Sequence, residues 1–567
     1  MAVSITRTIR QWTANGEPWI WVCASALAIC MCAVAGVLVL IGTKGFQHFW
    51  PNELVEITHY AANSKPTRLI GEVVETDELT RSQFLEAGGI PARPDASQET
   101  VTRILIKSGN RRIAPPDFRW VFVHDIISTA TPTDLAVISR VEWGNAYGRI
   151  LELSFTNPNS SEQHTTVAGS DLRPILESTL ERLNNIRDTI DELEHGTIFR
   201  ISEDLEALRL ERRRIELEAG PAAAAEIAQL EARERILLAT YREQEITLNG
   251  LLQSLSGSQL HMQLADGSTH VLELADITRV RFPNEMSTLQ RLGVFFVDVA
   301  RFLTDEPREA NTEGGVFPAI FGTVLMVLLM SIVVTPIGVI TAIYLHEYAH
   351  KGPLVGALRI AITNLAGVPS IVYGVFGLGF FVYFLGGNID RLFFPEALPA
   401  PTFGTPGLFW ASLTLALLTV PVVIVSTEEG LARIPQSLRE GSLALGATKA
   451  ETLMEVILPA ASPAILTGVI LAVARAAGEV APLMLVGVVK LAPALPIDGE
   501  FPFLHLERKF MHLGFHIYDV GFQSPNVEAA RPIVYATALL LITLIVGLNL
   551  TAITLRNQLE QRYKSLE

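Results

Sequence analysis

Apolar residues are distributed unevenly along this chain. One apolar block lies near the start, a long stretch of mixed composition follows, and further apolar blocks then crowd the second half. The first block, 19–42, follows Arg7 and Arg10. The later ones fall at about 316–345, 357–385, 408–425, 464–489 and 533–555. Each holds roughly 18 or more mainly apolar residues, the length that about 30 Å of hydrocarbon requires of a helix. The pattern therefore predicts six transmembrane helices with both termini on one side. A signal peptide is the alternative for the first block, but that block is longer than a usual signal core and lacks a small-residue cleavage site before Thr43 and Lys44.

Basic residues orient the prediction. Arg7 and Arg10, Lys351, then Arg433, Arg439 and Lys449, and finally Arg556, Arg562 and Lys564 all fall on one side, which the positive-inside bias makes cytoplasmic. The opposite loop, 386–407, carries only Arg391. Lys490, Arg508 and Lys509 run against the bias. On this topology residues 1–18 and 557–567 are cytoplasmic, and 43–315 form one extracytoplasmic domain. Residues 316–556 form a five-helix core that carries a cytoplasmic loop at 428–462.

The domain at 43–315 reads as α+β. Segments 259–265 and 269–275 flank Asp266-Gly267, a strong hairpin signal, because glycine supplies the positive φ of tight turns. A weaker hairpin is expected from 103–107 and 111–113 around Ser108-Gly109-Asn110, and further strands at 135–141 and 149–155 around Gly144-Asn145. Between these, Leu176, Leu180, Leu183, Ile186, Ile190 and Leu193 recur every three or four residues, as do Ile201, Leu205 and Leu208. Gly220 and Pro221 interrupt the run, and Ile227, Leu230, Leu237, Tyr241, Leu248 and Leu251 resume it. An antiparallel helical hairpin over about 171–255, with a coiled-coil-like seam, fits this spacing. Arms of about 35 to 45 residues would project about 50 to 70 Å. Such an arm either touches a partner or is a solvated spacer.

Composition agrees with a chain divided between membrane and water. It is 49% hydrophobic with a mean hydropathy of +0.33, yet 18% of its residues are charged. A net charge of −15 argues against nucleic acid as a partner, since phosphate backbones recruit basic surfaces. All three cysteines, Cys23, Cys30 and Cys32, lie in the first apolar block, so no disulfide framework holds the polar domain.

The loop between the fourth and fifth blocks carries the most specific pattern. Ser437 followed by Glu440 predicts a capping box opening a short helix. Gly446 then permits a sharp turn, and a second amphipathic helix is expected to run to Pro459. Two short helices meeting at a glycine make a rigid knob. This stretch resembles the coupling loop of ABC importer permeases, whose pattern is Glu-Ala-Ala, a later Gly, then Ile-x-Leu-Pro. Glu440, Gly441 and Ser442 stand at the Glu-Ala-Ala positions, Ala444 and Gly446 follow, and Ile457, Leu458 and Pro459 supply most of the ending. Gly441 and Ser442 depart from the pattern but remain small.

Residues 364–378, 437–448 and 474–482 together are similar to the PstA-type permeases of phosphate ABC transporters. The similarity spans about 310–556. It implies a mainly α fold, a six-helix transmembrane ABC importer permease, here with a large extracytoplasmic α+β insert carrying a long helical hairpin. It also implies a cell inner membrane location, and as partners an ATP-binding subunit dimer, a second permease subunit, an extracytoplasmic phosphate-binding protein and the lipid bilayer. No cofactor is implied.

Arg475 and Glu479 lie four residues apart in the fifth predicted span, so they are expected to share one helical face. Ionisable residues inside a membrane are functional suspects, and the guanidinium fork suits phosphate oxygens. A structural salt bridge is the alternative. Glu428 matches a further acidic position of the family, although Val425 stands where relatives often place an arginine. The translocation path is therefore assigned to Arg475, Glu479 and Glu428. ATPase coupling is assigned to Glu440, Gly441, Ser442, Ala444 and Gly446. No Gly-Lys-Ser phosphate loop is present, which places ATP hydrolysis on another chain. His346, Glu347 and His350 formally match a zinc-protease pattern, but little helix remains beyond them to build a cleft. Import of another oxyanion, such as sulfate or phosphonate, and a membrane-anchored periplasmic scaffold are the competing readings.

Overall fold

The computed structural model describes residues 16–60, 66–86, 100–113, 115–156, 164–219, 224–350, 352–499, 501–524 and 527–564. Arg7, Arg10, Lys351 and the helix-breaking pair Gly220 and Pro221 lie outside these residues. Among the described residues six helices are long and apolar enough to cross a bilayer: Trp19–Gln47, Phe317–Tyr348, Ser370–Phe393, Leu408–Arg433, Lys449–Gly478 and Ala530–Gln558. They are called spans one to six below.

Two spans differ from the apolar pattern. The third was expected to start at 357, but the chain there forms a separate helix, Pro353–Leu365. It breaks at residues 366–369 before the span proper begins at Ser370. Pro369 explains the break: it has no N–H to continue the ladder and pushes Val368 out of helical geometry. The fifth was expected at 464–489, yet it begins at Lys449 and ends at Gly478, with Glu479 already extended at φ −79°, ψ 132°. Pro459 therefore does not end a separate second helix. A wide turn over Thr452–Ile457 absorbs the lost hydrogen bond, and the loop's second helix runs straight into the span.

Span four is the most enclosed. Leu415, Leu418 and Val423 on it pack with Met326, Met330 and Val334 of span two and Ala472 and Ala476 of span five. The first span is fully exposed along its apolar length, and packs near its end against the sixth, where Gly45 meets Tyr535 and Leu539.

The region between spans one and two is built on two antiparallel sheets. One has strand order β4-β3-β2-β1-β5, with β1 Leu54–Tyr60, β2 Pro66–Thr80, β3 Thr100–Lys107, β4 Phe118–Phe122 and β5 Ile126–Ala130. The other runs β10-β9-β7-β6-β11, with β6 Leu135–Arg140, β7 Ala146–Thr156, β9 Ser258–Gln263, β10 Thr269–Glu273 and β11 Ile277–Arg281; β8, His164–Ala168, adds to β7. The expected hairpin around Asp266-Gly267 pairs Thr269 with Gln263, and the one around Gly144-Asn145 pairs Leu135 with Arg149. The weaker hairpin is absent: residues 111–113 form a turn, and β3 pairs with β2 and β4 instead. Gly109 and Asn110 both take positive φ, which turns the chain away from its own strand. Leu54, Ile70, Leu135, Val137 and Tyr147 form the core shared by the sheets.

The helical stretch divides into Leu172–Glu192, a wide turn over Leu193–Ile198, then Phe199–Ala219 and Ala224–Leu255. Its first apolar repeat faces the second sheet, and the helix Leu172–Glu192 also packs along Ala224–Leu255. Leu172, Leu176, Leu180 and Leu183 are buried against Ile138, Leu153, Leu260 and Met262, each burial worth roughly 1.5–3 kcal/mol. Arg187 locks this helix down, donating to the carbonyls of Leu274, Ala275 and Ile277 at 2.8–3.0 Å. The last two helices meet through Arg212 and Glu234 at 3.3 Å.

Side chains also join this region to the spans. Arg508, in the stretch between spans five and six, pairs with Asp498 and with Glu203 of the helix Phe199–Ala219. Lys490 pairs with the buried Asp519 at 2.9 Å, and Asn311 donates to the Lys490 carbonyl. Two of the three cations that ran against the orientation bias are thus structural, each held by an acidic partner.

Candidate functional site

Two clusters gather all but one of the site residues singled out from sequence, Glu428 lying apart. The first lies where spans three and five are both interrupted. Span five stops at Gly478, so Glu479 is not on the helical face of Arg475 but at the first extended residue beyond it. The two side chains still meet, with Arg475 Nε 3.5 Å from Glu479 Oε1. Contact through Nε leaves the terminal guanidinium nitrogens without a protein acceptor among the described residues. Arg475 is about one-third exposed and Glu479 one-fifth.

Opposite stands the restart of span three. Tyr373 stands on that restart and is buried. Its hydroxyl donates to the Leu365 carbonyl at 2.7 Å, satisfying one of the acceptors that a helix end leaves free. Gly374 lets the two interruptions touch, since a Cβ there would come within 2.7 Å of Pro482 Cα. The stretches 364–378 and 474–482, far apart in the chain, thus form one locus in which two broken helices flank an arginine. Such breaks are tolerated at membrane depth only where protein or a polar cavity takes up the freed backbone groups.

Glu428 is elsewhere, near the C-terminal end of span four. Its carboxylate is 3.1 Å from Arg359, a residue not anticipated from sequence, on the helix Pro353–Leu365. Arg359 also donates to the Leu345 carbonyl at 3.0 Å. Val425 is therefore not replaced by a neighbour in its own helix. The cation beside Glu428 comes from the segment before span three. Glu429 is exposed and faces Arg433.

The second cluster is the knob. Its first helix is Gln436–Ala444, and Pro435 stands at its cap. The capping box expected from Ser437 and Glu440 is absent, because Pro435 already starts the helix and leaves Ser437 inside it. The box lies one helix later, where Thr448 and Glu451 bond each other's backbone N–H. Gly446 makes the corner with φ +92°, and a Cβ there would meet nothing within 4 Å, so the glycine is required by conformation rather than space. Ser442 joins the two helices, its hydroxyl 2.9 Å from Thr452 Oγ1. Glu440, Gly441, Ala444 and Gly446 are exposed. Beside them Leu438, Leu443 and Met454 are about half to two-thirds exposed and Leu445 is 92% exposed. These apolar side chains were not singled out from sequence, although their positions around Gly446 were visible.

Residues 334–565 match the family model described as "Binding-protein-dependent transport system inner membrane component". The chain is 36% identical over 239 residues to the phosphate transport system permease protein PstA of Mycobacterium leprae, covering 42% of this chain and 69% of that protein. It is 37% identical over 193 residues to PstA of Yersinia pestis, covering 34% and 59%. The chain thus spans between 59% and 69% of the lengths of these two relatives. Among solved structures, an inward-facing MetNI methionine ABC transporter aligns at 18% identity with a TM-score of 0.31, over 43% of this chain and 94% of that one. That likeness is too distant to carry an argument.

Proposed function

Since the chain belongs to the binding-protein-dependent transport system inner membrane components, and among them to the PstA-type permeases, we propose that it carries inorganic phosphate across the membrane. Its termini face the cytoplasm, and residues 43–315 form an extracytoplasmic α+β domain whose long helical arm stands on the outer face. It works with a second permease subunit, two ATP-binding subunits below and an extracytoplasmic phosphate-binding protein above. The observation that carries this reading is the meeting of 364–378 and 474–482 around Arg475.

The chemistry follows from that locus. A phosphate leaving water loses hydration that must be replaced by oriented donors, and a guanidinium offers them in a planar fork. Glu479 engages Arg475 through Nε only, so the anion is received on the terminal nitrogens while the acid steadies the cation. Glu428 and Arg359 close the path on the cytoplasmic side. ATP-driven closure of the ATPases moves the knob through the exposed face at Glu440, Gly441, Ala444, Leu445 and Gly446, with Ser442 tying its two helices. Spans four and five, which are continuous with the knob, then shift, span five about its break at Gly478.

Radiolabelled phosphate uptake at micromolar concentration, with sulfate in parallel, tests this in cells that have no other phosphate system. Loss of the gene is expected to abolish phosphate uptake and spare sulfate. Arg475→Ala is expected to lower uptake at least a hundredfold, the scale for removing a charged partner in a poorly hydrated site, while the complex still assembles. Normal uptake in that variant removes Arg475 from the path.

A further inference from the structure

The knob is covalently continuous with spans four and five, whereas span two reaches it only through side chains. At its cytoplasmic-side end span two loosens into a wide turn, Tyr344–Tyr348, and leaves helical geometry at Ala349. Glu347 sits in that turn with its side chain only 13% exposed. An acid at a helix C-terminus opposes the negative end of the helix dipole, so its placement needs compensation. Arg439, from the first knob helix, supplies it at 3.0 Å from Glu347 Oε1 and is itself mostly buried. His346 Nδ1 lies 3.0 Å from the same oxygen. Lys449, at the start of the second knob helix, donates to the Glu347 carbonyl at 2.6 Å and stands 4.3 Å over the Tyr348 ring. Both knob helices therefore grip the same turn, one through the Glu347 carboxylate and one through its backbone.

We propose that Glu347 is a positioning residue that fastens the end of span two to the knob through Arg439, so that span two moves with it. The inference rests on the reading of the knob as the docking site for an ATPase. Without the clasp, force on the knob still reaches spans four and five through the chain. Span two then follows only through its packing against span four, and the path opens incompletely for each ATP consumed. A partly buried pair suits this role because water screens it far less than an exposed one.

The test uses the full transporter with its ATPase, in proteoliposomes, and reads phosphate transported per ATP hydrolysed. Glu347→Gln is expected to lower this ratio about tenfold, within the range of coupling between linked sites, while the ATPase subunit still co-purifies. Arg439→Gln is expected to do the same, and Glu347→Asp, which keeps the charge, to retain most of the ratio. A purely packing role predicts no such split between Asp and Gln. A wild-type ratio in Glu347→Gln overturns the proposal, as does equal loss in Asp and Gln. If Glu347→Gln does not assemble, Arg439→Gln decides alone by the same ratio. Gly446→Asp is the control for the underlying reading: if that variant keeps both ATPase binding and coupled transport, the docking assignment fails, whatever Glu347 does.

Discussion

The spans and the two long helices Phe199–Ala219 and Ala224–Leu255 use charged residues in opposite ways. On the helices Phe199–Ala219 and Ala224–Leu255, acids and bases are frequent and pair locally, as in Arg209 with Glu206 and Arg214 with Glu218, side chains more than half exposed. Such pairs are screened by water and contribute little. In the permease core the less exposed pairs join different elements: Arg359 with Glu428, Arg439 with Glu347, Lys490 with Asp519, while the exposed Arg433 and Glu429 pair within span four. Arg475 and Glu479 meet across the end of a helix. A less exposed charge in the core thus marks a place where elements are held together, and at Arg475 the place proposed to meet the anion. A charge on the arm mostly marks solvent. Nearer the sheets the inserted domain also joins elements through charge, as in Arg149 with Glu56 and Arg281 with Asp298, and in Arg187, whose guanidinium caps three sheet carbonyls from a helix, with burial pulling its pKa below the usual arginine value.

The contrast sets the sizes of mutational effects. Gly446→Asp is expected to abolish phosphate uptake, because the residue needs a positive φ at the exposed corner and the new carboxylate projects from the face proposed to dock; co-purification of the ATPase subunit checks it. Arg187→Met is expected to destabilise the insert by roughly 2–4 kcal/mol, since three carbonyls lose a charged donor. Its readout is a lowered melting temperature with span-region function retained in mild conditions.

A smaller effect comes from pH. Burial holds His512 down to about 3 and His516 to about 4, against a usual 6.5, with the Asp519 charge partly opposing the shift at His516. Because the folded-state values are depressed, the unfolded chain binds the extra protons first. Stability from these neutral rings is full above about pH 6.5 and declines as pH falls toward 4. Thermal melts between pH 7 and 5 should show the decline, and His512→Asn should flatten it. A flat wild-type profile removes both histidines from the argument. Arg214→Ala is expected to change stability by less than about 0.5 kcal/mol, and a larger loss would mean that the arm's surface charges are held by something other than solvent.

Much of this contrast was readable along the chain. The apolar blocks located the spans because a bilayer demands about 20 apolar residues whatever the partners are. Glycine turns located two of the hairpins because the demand for positive φ is local. The first sheet was largely missed. Its strands β1, β2, β4 and β5 are half-buried and polar on one face, and β2 pairs with β1 and β3 through registers that no local pattern announces. The apolar repeat at Leu176, Leu180 and Leu183 was legible as a buried helical face. What it packs against was not, since a leucine stripe suits a sheet as well as another helix.

The candidate site divides in the same way. Arg475, Glu479, Glu428 and the knob residues were visible as charges in apolar segments or as a patterned loop. Arg359 and Glu347 were not, because each owes its significance to a partner about 70 or 90 residues away in the chain. The chain's own pattern determined where membrane-length helices form and where backbone conformation admits only glycine, because hydrophobic length and φ are properties of short segments. The tertiary structure alone decided that two broken helices meet at Arg475, that Lys490 and Arg508 are bound by acids, and that the knob grips span two. Those outcomes depend on which distant groups come within a few ångströms of one another.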